Sequence, residues 1–173
     1  GHMLLAGPLD PPPGPVAPTM KTLLEVEPRI AINATNTPGD DDSLFKISQP
    51  GAYYLTGNVI GVSGKLGVEI AASGVTLDLM GFDLVGTAGS LDGVRSTVQA
   101  TDIAVVNGSL RNWGRNGVDL GTGLDSAKNS RLIDLRVSGN SMSGIIAGWN
   151  AVVTGWIAYR NGSDGIRASF SST

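Results

Sequence analysis

A glycine followed by valine or isoleucine recurs at five similarly spaced positions in this chain, and this repeat constrains the fold more than any other feature. The five glycines are Gly67, Gly93, Gly117, Gly144 and Gly165. Their successive spacings are 26, 24, 27 and 21 residues. A unit of about 20 to 50 residues that repeats with varying length is typical of solenoid proteins. The runs between the glycines are short, apolar and bounded by Gly, Pro or Asn, which is typical of strands. A repeat built from strands predicts a β-solenoid.

Other positions keep the same offsets as the glycines. Asn140 and Gly144 recur 21 residues later as Asn161 and Gly165, so they occupy equivalent places in successive coils. We therefore predict an all-β domain of about five or six coils. Each recurring glycine is expected to turn a corner with a positive φ, and Asn107, Asn140 and Asn161 are expected to serve at other corners.

Side chains alternate between the two sides of a strand, which assigns the residue two places after each glycine to the outside. The residues of this outward column are Glu69, Arg95, Asp119, Ile146 and Arg167. Neighbouring coils lie about 4.8 Å apart, so we expect the first three residues to form an alternating-charge ladder. The flanking valine and isoleucine side chains are expected to face a buried core.

The residues before the repeats divide into three parts. Gly1-His2-Met3 is typical of a cloning scar. Residues 4–20 contain six prolines and form an extended arm, either a linker or a strap around a neighbouring subunit. Residues 21–173 form the β-helix domain, which is predicted to open with a short helical cap over residues 22–27 that Pro28 ends.

Composition excludes several classes of chemistry. The chain has no cysteine, and its histidine is His2 in the scar, so catalysis by Ser-His-Asp or Cys-His groups and ordinary zinc sites are excluded. The net charge is −3 and the arginines are scattered, which does not indicate a nucleic-acid partner. No apolar run approaches the 18 or so residues that a membrane span needs.

Outward acidic and basic residues are the candidates for catalysis. Asp78, Asp119 and Asp134 fall at predicted outward strand positions, and Arg136 follows Asp134 by two residues. Two carboxylates held about 5 to 9.5 Å apart can hydrolyse a glycosidic bond. A solvated strand face accounts for the same residues, because every exposed strand needs polar side chains.

Two further clusters have alternative interpretations. The run Asp40-Asp41-Asp42 could bind calcium through its carboxylates, or it could be a solvated turn. The second cluster is apolar and contains Ile146, Trp149, Trp156 and Tyr159. Exposed aromatic side chains of this kind could contact sugar or a second subunit, or they could pack in the core. Trp113 is expected to be a corner residue that covers a coil edge.

The repeats resemble the right-handed parallel β-helix superfamily typified by pectin-lyase-like proteins. Residues 137–145 and 159–166 match its Asn-x-x-x-Gly-Ile coil signature, and residues 45–58 are similar to the first coil of secreted bacterial β-helix repeat proteins of unknown function. The resemblance implies a right-handed β-helix and a secreted or cell-surface location. It also implies polysaccharide lyases or glycoside hydrolases as relatives, although the hydrolases' Asn-Thr-Asp and Gly-His-Gly motifs are absent from this chain.

Two functional hypotheses follow. The first is a non-catalytic secreted or surface module that acts by self-association, as a homo-oligomer, and that also binds polysaccharide. It rests on the low charge, the missing catalytic motifs and the aromatic cluster. The second is a polysaccharide lyase or glycoside hydrolase, cloned whole or in part, that uses the outward Asp and Arg residues. Neither hypothesis requires a cofactor, apart from calcium if the acidic run binds it.

Overall fold

The fold is described by a computed structural model that defines residues 27–168. The predicted helical cap and the proline-rich arm lie outside these residues, except for Glu27 at the end of the predicted helix. The described part is a parallel β-solenoid of about six turns. Its strands are β1 (Ile30–Ala31), β2 (Ser43–Ile47), β3 (Gly51–Tyr54), β4 (Val59–Ile60), β5 (Leu66–Ile70), β6 (Val75–Asp78), β7 (Asp83–Val85), β8 (Val94–Ser96), β9 (Ala104–Arg111), β10 (Val118–Asp119), β11 (Arg131–Ser138), β12 (Ile145–Ala147), β13 (Val152–Thr154), β14 (Ile157–Tyr159) and β15 (Ile166–Ala168). A short 3-10 helix, Gly123–Asp125, interrupts the loop after β10.

The strands stack into three faces, and every strand pair is parallel. Face A contains β1, β3, β6, the first halves of β9 and β11, and β13. Face B contains β4, β7, the second halves of β9 and β11, and β14. Face C contains β2, β5, β8, β10, β12 and β15. The expectation of an all-β parallel solenoid of five or six coils is therefore confirmed, and its cross-section has three sides.

Columns of left-handed residues separate the faces. Faces A and B meet at Met80, Asn107, Asp134 and Gly155, whose φ angles lie between 54° and 63°. The corner after face B holds Asn112, Gly139 and Arg160, and the corner before face A holds Gly74, Asp102, Asn129 and Asn150, all with positive φ. Glycine, asparagine and aspartate adopt this conformation at low cost. The prediction that Asn107 serves at a corner is confirmed.

The recurring glycines do not turn corners with positive φ, so that expectation was wrong. They are required because successive coils approach too closely for a side chain. A Cβ on Gly93 would lie 2.5 Å from the carbonyl oxygen of Gly117, and a Cβ on Gly117 would lie 2.6 Å from that of Gly144. The carbonyl oxygen of Gly165 likewise lies 2.6 Å from the position of a Cβ on Gly144. These glycines form a column along face C, which we call the glycine column.

The same carbonyl oxygens join the coils by hydrogen bonds. The amide of Val94 donates to Gly117 at 3.0 Å, and the amide of Val118 donates to Gly144 at 2.9 Å. The side chains of Val94 and Val118 point inward and are fully buried, as the alternation predicts. Each fully buried branched side chain contributes about 1.5 to 3 kcal/mol. The glycine column thus sets the register in which the core packs.

Trp113 is a core residue rather than a cover over a coil edge, so that expectation was wrong. Its side chain is fully buried, and its ring lies against Gly61, Gly67 and Gly93, where a Cβ would come within 2.9 Å of it. Three glycines therefore make the space that one indole fills. The indole nitrogen donates to the carbonyl oxygen of Leu84 at 3.1 Å.

Trp113 also begins an internal stack of polar side chains. Asn140 and Asn161 occupy its equivalent positions in the next two coils, and neither has a positive φ. The Nδ2 of Asn140 donates to the carbonyl oxygen of Leu110, and the amide of Trp113 donates to the Oδ1 of Asn140 at 3.0 Å. Asn140 and Asn161 directly follow the corner residues Gly139 and Arg160, so their expected place near a corner is confirmed. They tie the coils together through their side chains and do not adopt a left-handed backbone.

The predicted outward column exists in the expected register but is not a charge ladder. Glu69 pairs with Arg95, and Arg95 with Asp119, as strand neighbours. However, the carboxylate of Glu69 contacts the Nζ of Lys46 at 2.9 Å, and Arg95 contacts Asp92 at 3.3 Å. Glu69 and Asp119 are also buried. Lys46 is the strand neighbour of Glu69 in the preceding coil, whereas Asp92 lies just before β8 in the same coil as Arg95. Among the described residues, no ion pair joins Glu69 to Arg95 or Arg95 to Asp119.

Substituting Gly144 by alanine is expected to destabilise the solenoid by about 1 to 3 kcal/mol, because the added Cβ overpacks a backbone that cannot move without breaking the coil register. Urea unfolding measures this loss. Gly57→Ala is the matched control, since a Cβ on Gly57 would meet nothing within 4 Å. Equal unfolding midpoints for the two variants would contradict the role of the glycine column.

Candidate functional site

The second half of β11 and the adjacent β14 place aromatic and charged side chains side by side on face B. Arg136 is the strand neighbour of Ile157, and Ser138 is the strand neighbour of Tyr159. Trp156 immediately precedes β14, and Asp134 stands at the corner between faces A and B. We call the group formed by Asp134, Arg136, Trp156, Ile157 and Tyr159 the aromatic surface.

The apolar members of the aromatic surface are exposed because of strand alternation. Ala158 packs against the core, so its neighbours Ile157 and Tyr159 face outward. Trp156 is 46% exposed, Ile157 is 61% exposed and Tyr159 is 55% exposed. The guanidinium carbon of Arg160 lies 4.8 Å from the centroid of the Tyr159 ring, a cation–π distance that orients this side chain.

The charged members lie beside these aromatic side chains. Asp134 adopts a φ of 54°, and its carboxylate fills the space in which a Cβ on Gly155 would lie. Gly155 immediately precedes Trp156, so the carboxylate and the indole belong to one corner. The Nε of Arg136 donates to the Oγ of Ser109 at 3.2 Å, and within residues 27–168 its terminal nitrogens form no hydrogen bond. Both Asp134 and Arg136 are exposed.

This combination suits a ligand with both apolar and hydroxylated sides. Aromatic rings offer an apolar surface at low conformational cost, and the C–H face of a sugar ring packs against such a surface. A carboxylate accepts hydrogen bonds from hydroxyl groups, and a guanidinium donates hydrogen bonds to their oxygens. The aromatic surface therefore presents stacking groups and hydrogen-bonding groups together on an open sheet face.

The structure separates the remaining candidates from the aromatic surface. Asp119 and Ile146 are strand neighbours on face C, where they are buried. Trp149 precedes β13, while Trp156 follows it, so the two tryptophans lie at different corners. Asp78 ends β6 on face A and binds Arg29, whose Nη1 lies 3.0 Å from its Oδ2.

Asp119 shapes a turn instead of facing solvent. Its side chain is buried, and its Oδ1 accepts the amides of Gly121 and Thr122 at 3.2 and 3.0 Å. Within the part of the chain that the structure describes, its Oδ2 has no hydrogen-bond partner. The expectation of an exposed Asp119 was wrong, because the loop after β10 folds back over face C.

The same loop covers Ile146. Its Cγ2 lies 2.9 Å from the position that a Cβ would take on Gly121, and the side chain is 3% exposed. The expectation that Ile146 adds to an exposed apolar surface was therefore wrong.

Trp149 lies beside the 3-10 helix. It joins a ladder of parallel bridges with Lys128 and Thr101, and it is 38% exposed. A cavity of about 180 Å³ separates its side chain from Leu124 and Gln99. Leu124 is 88% exposed at the tip of this loop. Trp149 thus belongs to a separate surface formed by the loop between β10 and β11.

The acidic run near the N-terminus is a structured turn. The Oδ1 of Asp40 accepts hydrogen bonds from the Asp42 amide and from both the amide and the hydroxyl of Ser43. Its Oδ2 lies 2.8 Å from the Nζ of Lys46, and this hydrogen bond holds the pKa of Asp40 well below its usual range. Among residues 27–168, no three acidic, histidine or cysteine side chains gather as they would around a metal ion.

Sequence reasoning missed a second group of residues, which surrounds a cavity beside face C. Its charged members are Arg115 and Arg167, and Ser141 and Ser143 line it as well. The hydroxyl residues fall between the asparagine and the glycine of the repeat signature. Aligning these intervening positions in successive coils is the signal that would have found the cavity, because equivalent positions stack.

Protein-family models, curated proteins and solved structures were compared with the chain, and none of them matches it. Within the described residues, no helix has the length and apolar character needed to cross a membrane.

Replacing Asp119 by alanine is expected to lower the free energy of unfolding by about 1 to 3 kcal/mol, because two backbone amides lose their acceptor. Asp164→Ala provides the control, since Asp164 is an exposed aspartate at the same side of the solenoid and its φ is not positive. Thermal unfolding of both variants measures the difference. An unchanged melting temperature for Asp119→Ala would show that the turn does not need this carboxylate.

Proposed function

We propose that this chain is a non-catalytic, polysaccharide-binding module of a secreted or cell-surface, right-handed parallel β-helix protein. The observation that carries the proposal is the aromatic surface, in which exposed Trp156 and Tyr159 lie beside Asp134 and Arg136. Their meeting on one face is what favours sugar binding.

The shape of the surface favours a polymer over a small molecule. Face B is an open stack of strands, and its outward columns continue from the aromatic surface to Ser109 and Asp83 in the preceding coils. Successive coils are about 4.8 Å apart. A chain of sugars can therefore lie along the axis, stack on the aromatic side chains and reach polar groups on the neighbouring coils.

The cellular setting is proposed from the resemblance of residues 45–58, 137–145 and 159–166 to pectin-lyase-like and secreted β-helix proteins. The parallel β-solenoid supports this relationship at the level of the fold. One fold hosts many functions, so the activity is argued from the aromatic surface and not from the resemblance.

Affinity electrophoresis in gels that contain polysaccharides tests sugar binding. Trp156→Ala and Tyr159→Ala are each expected to weaken binding about tenfold, because each removes a central stacking group. Trp149→Ala is the matched control, since Trp149 is similarly exposed but lies at a different corner. Loss of binding in the control with retention in Trp156→Ala would overturn the assignment of the surface.

A lyase or hydrolase remains the second candidate function, because Asp134 and Arg136 lie on the same surface as the stacking groups. Incubation with pectate, alginate and related uronans, followed by detection of unsaturated or reducing ends, separates the two candidates. If the protein cleaves one of these polysaccharides and Arg136→Ala abolishes the cleavage, the enzymatic function replaces the non-catalytic proposal. Binding of a polysaccharide without cleavage supports the non-catalytic proposal.

Self-association is proposed to act alongside sugar binding. Val152 is 54% exposed on the outside of face A, close to the unpaired side that β13, β14 and β15 present within the described residues. Exposed apolar side chains next to an open strand edge favour contact with a second copy.

Sedimentation velocity at micromolar concentration is expected to detect an oligomer that Val152→Lys shifts toward monomer, because the ammonium group cannot be buried in an apolar contact. Ile60→Lys, at an equally exposed residue near the other end of the solenoid, is expected to leave the oligomer unchanged. A monodisperse monomer for the unmodified chain would refute self-association.

A further inference from the structure

A second site lies beside face C, on a different side of the solenoid from the aromatic surface. It is a cavity with a volume of about 260 Å³. Three successive coils line it. Its polar lining includes Arg115, Thr122, Ser141, Ser143, Ser163 and Arg167. We propose that this cavity, which we call the cationic pocket, binds a tetrahedral oxyanion ester, the phosphate or sulfate group of a small or polymeric ligand.

Two guanidinium groups give the pocket its charge. Arg167 lies on β15, where it is the last member of the outward column, and it is exposed. Within residues 27–168, no carboxylate forms an ion pair with it. Arg115 has one distant partner, since its Nη1 lies 3.7 Å from the Oδ2 of Asp92. That carboxylate oxygen is shared with Arg95 at 3.3 Å. Both arginines of the pocket therefore keep donors for an incoming anion.

The remaining polar groups of the pocket are hydroxyls with unused hydrogen-bonding capacity. In the described part of the chain, the side-chain oxygens of Thr122, Ser141, Ser143 and Ser163 take part in no hydrogen bond. Asn116 also lines the pocket, but its side-chain amide already forms hydrogen bonds within the protein. Its Nδ2 donates to the Oδ1 of Asp92 at 2.8 Å, and its Oδ1 accepts the amide of Ser143 at 3.0 Å.

The pocket is thus rich in donors and poor in acceptors other than its hydroxyls. A phosphate or sulfate ester presents three acceptor oxygens, and guanidinium groups pair with such oxygens through parallel hydrogen bonds. A carboxylate presents only two oxygens and leaves more of the donors unused. Met142 and Ile146 supply an apolar wall, against which the carbon part of an ester can pack.

Of the carboxylates near the pocket, Asp92 and Asp119 are buried, and Asp164 is exposed to an incoming anion. Asp164 is exposed and occupies the position equivalent to Ser143 in the next coil, about 4.8 Å away along the axis. Its charge repels an anion in the pocket, so removing that charge is expected to tighten binding. This residue gives the test a variant that moves affinity in the opposite direction from the arginine variants.

Isothermal titration calorimetry with defined probes tests the proposal. The probes are inorganic phosphate, inorganic sulfate, glucose 6-phosphate, glucose 6-sulfate, glucuronate and glucose. The phosphate and sulfate esters are expected to bind, and Arg115→Gln and Arg167→Gln are each expected to weaken binding about tenfold. Asp164→Asn is expected to strengthen it. Arg131→Gln is the matched control, since Arg131 is an exposed arginine on face A outside the pocket.

The outcomes separate the proposal from its alternatives. Glucuronate binding as tightly as the esters, an equal effect of Arg131→Gln, or no binding of any ester by correctly folded protein would overturn it. Raising the pH from about 5 to about 7 doubles the charge of a phosphate ester but not of a sulfate ester. A corresponding gain in affinity for glucose 6-phosphate alone would therefore identify phosphate as the better ligand.

The site is independent of the aromatic surface, and the experiment keeps the two apart. Trp156→Ala is expected to bind the esters unchanged, and Arg167→Gln is expected to retain polysaccharide binding. Loss of ester binding in Trp156→Ala would show that the two sites are not independent and would contradict the proposal. Thermal unfolding of each variant confirms that it is folded before its affinity is interpreted.

Discussion

The close approach of the backbone at the glycine column is the constraint on which the rest of this structure depends. Where the carbonyl oxygen of one glycine occupies the place of the preceding glycine's Cβ, any side chain would push the coils apart. The residue after each glycine then donates its amide to that same carbonyl oxygen. Sterics and hydrogen bonding thus demand one register, and a shift by one residue would turn the buried valines and isoleucines outward.

One fixed register turns separate repeats into continuous columns, and both proposed sites are made of such columns. The aromatic surface joins β11 to β14, whose members are about twenty residues apart in the chain. The cationic pocket joins Arg115, Ser143 and Arg167 from three coils. A change that weakened the coil register would therefore disturb both sites together, whereas a change to one surface side chain would affect one site alone.

The fold could be read from the sequence because its causes are local and repetitive. Glycine spacing, branched residues and alternation predicted the strands, the coil number, and the strand pairing of Glu69 with Arg95 and of Arg95 with Asp119. Exposure could not be read in this way. Asp119 and Ile146 are buried by a loop of irregular length after β10, and the repeat carries no information about where such a loop folds.

The sites were predicted only in part, because a site depends on which side chains the coils bring together and on which of them are exposed. The apolar stretch that contains Trp156 and Tyr159 was recognised in the sequence, but their position beside Asp134 and Arg136 follows from the strand register. Trp113 misled the sequence reasoning because the space for its indole comes from three glycines in other coils. The cationic pocket depends on alignment of corner residues, which vary more than the strands do.

Disulfide formation between introduced cysteines tests the coil register most directly, since the chain has no cysteine of its own. Arg131 and Val152 are strand neighbours on the outside of face A. Their Cα atoms lie at the spacing of adjacent strands, about 4.8 Å, which is within disulfide range. Arg131 and Thr154 are offset by two residues, which places them beyond about 7 Å. The account predicts rapid cross-linking of the 131/152 pair and little cross-linking of the 131/154 pair. Equal rates, or faster closure of the offset pair, would contradict it.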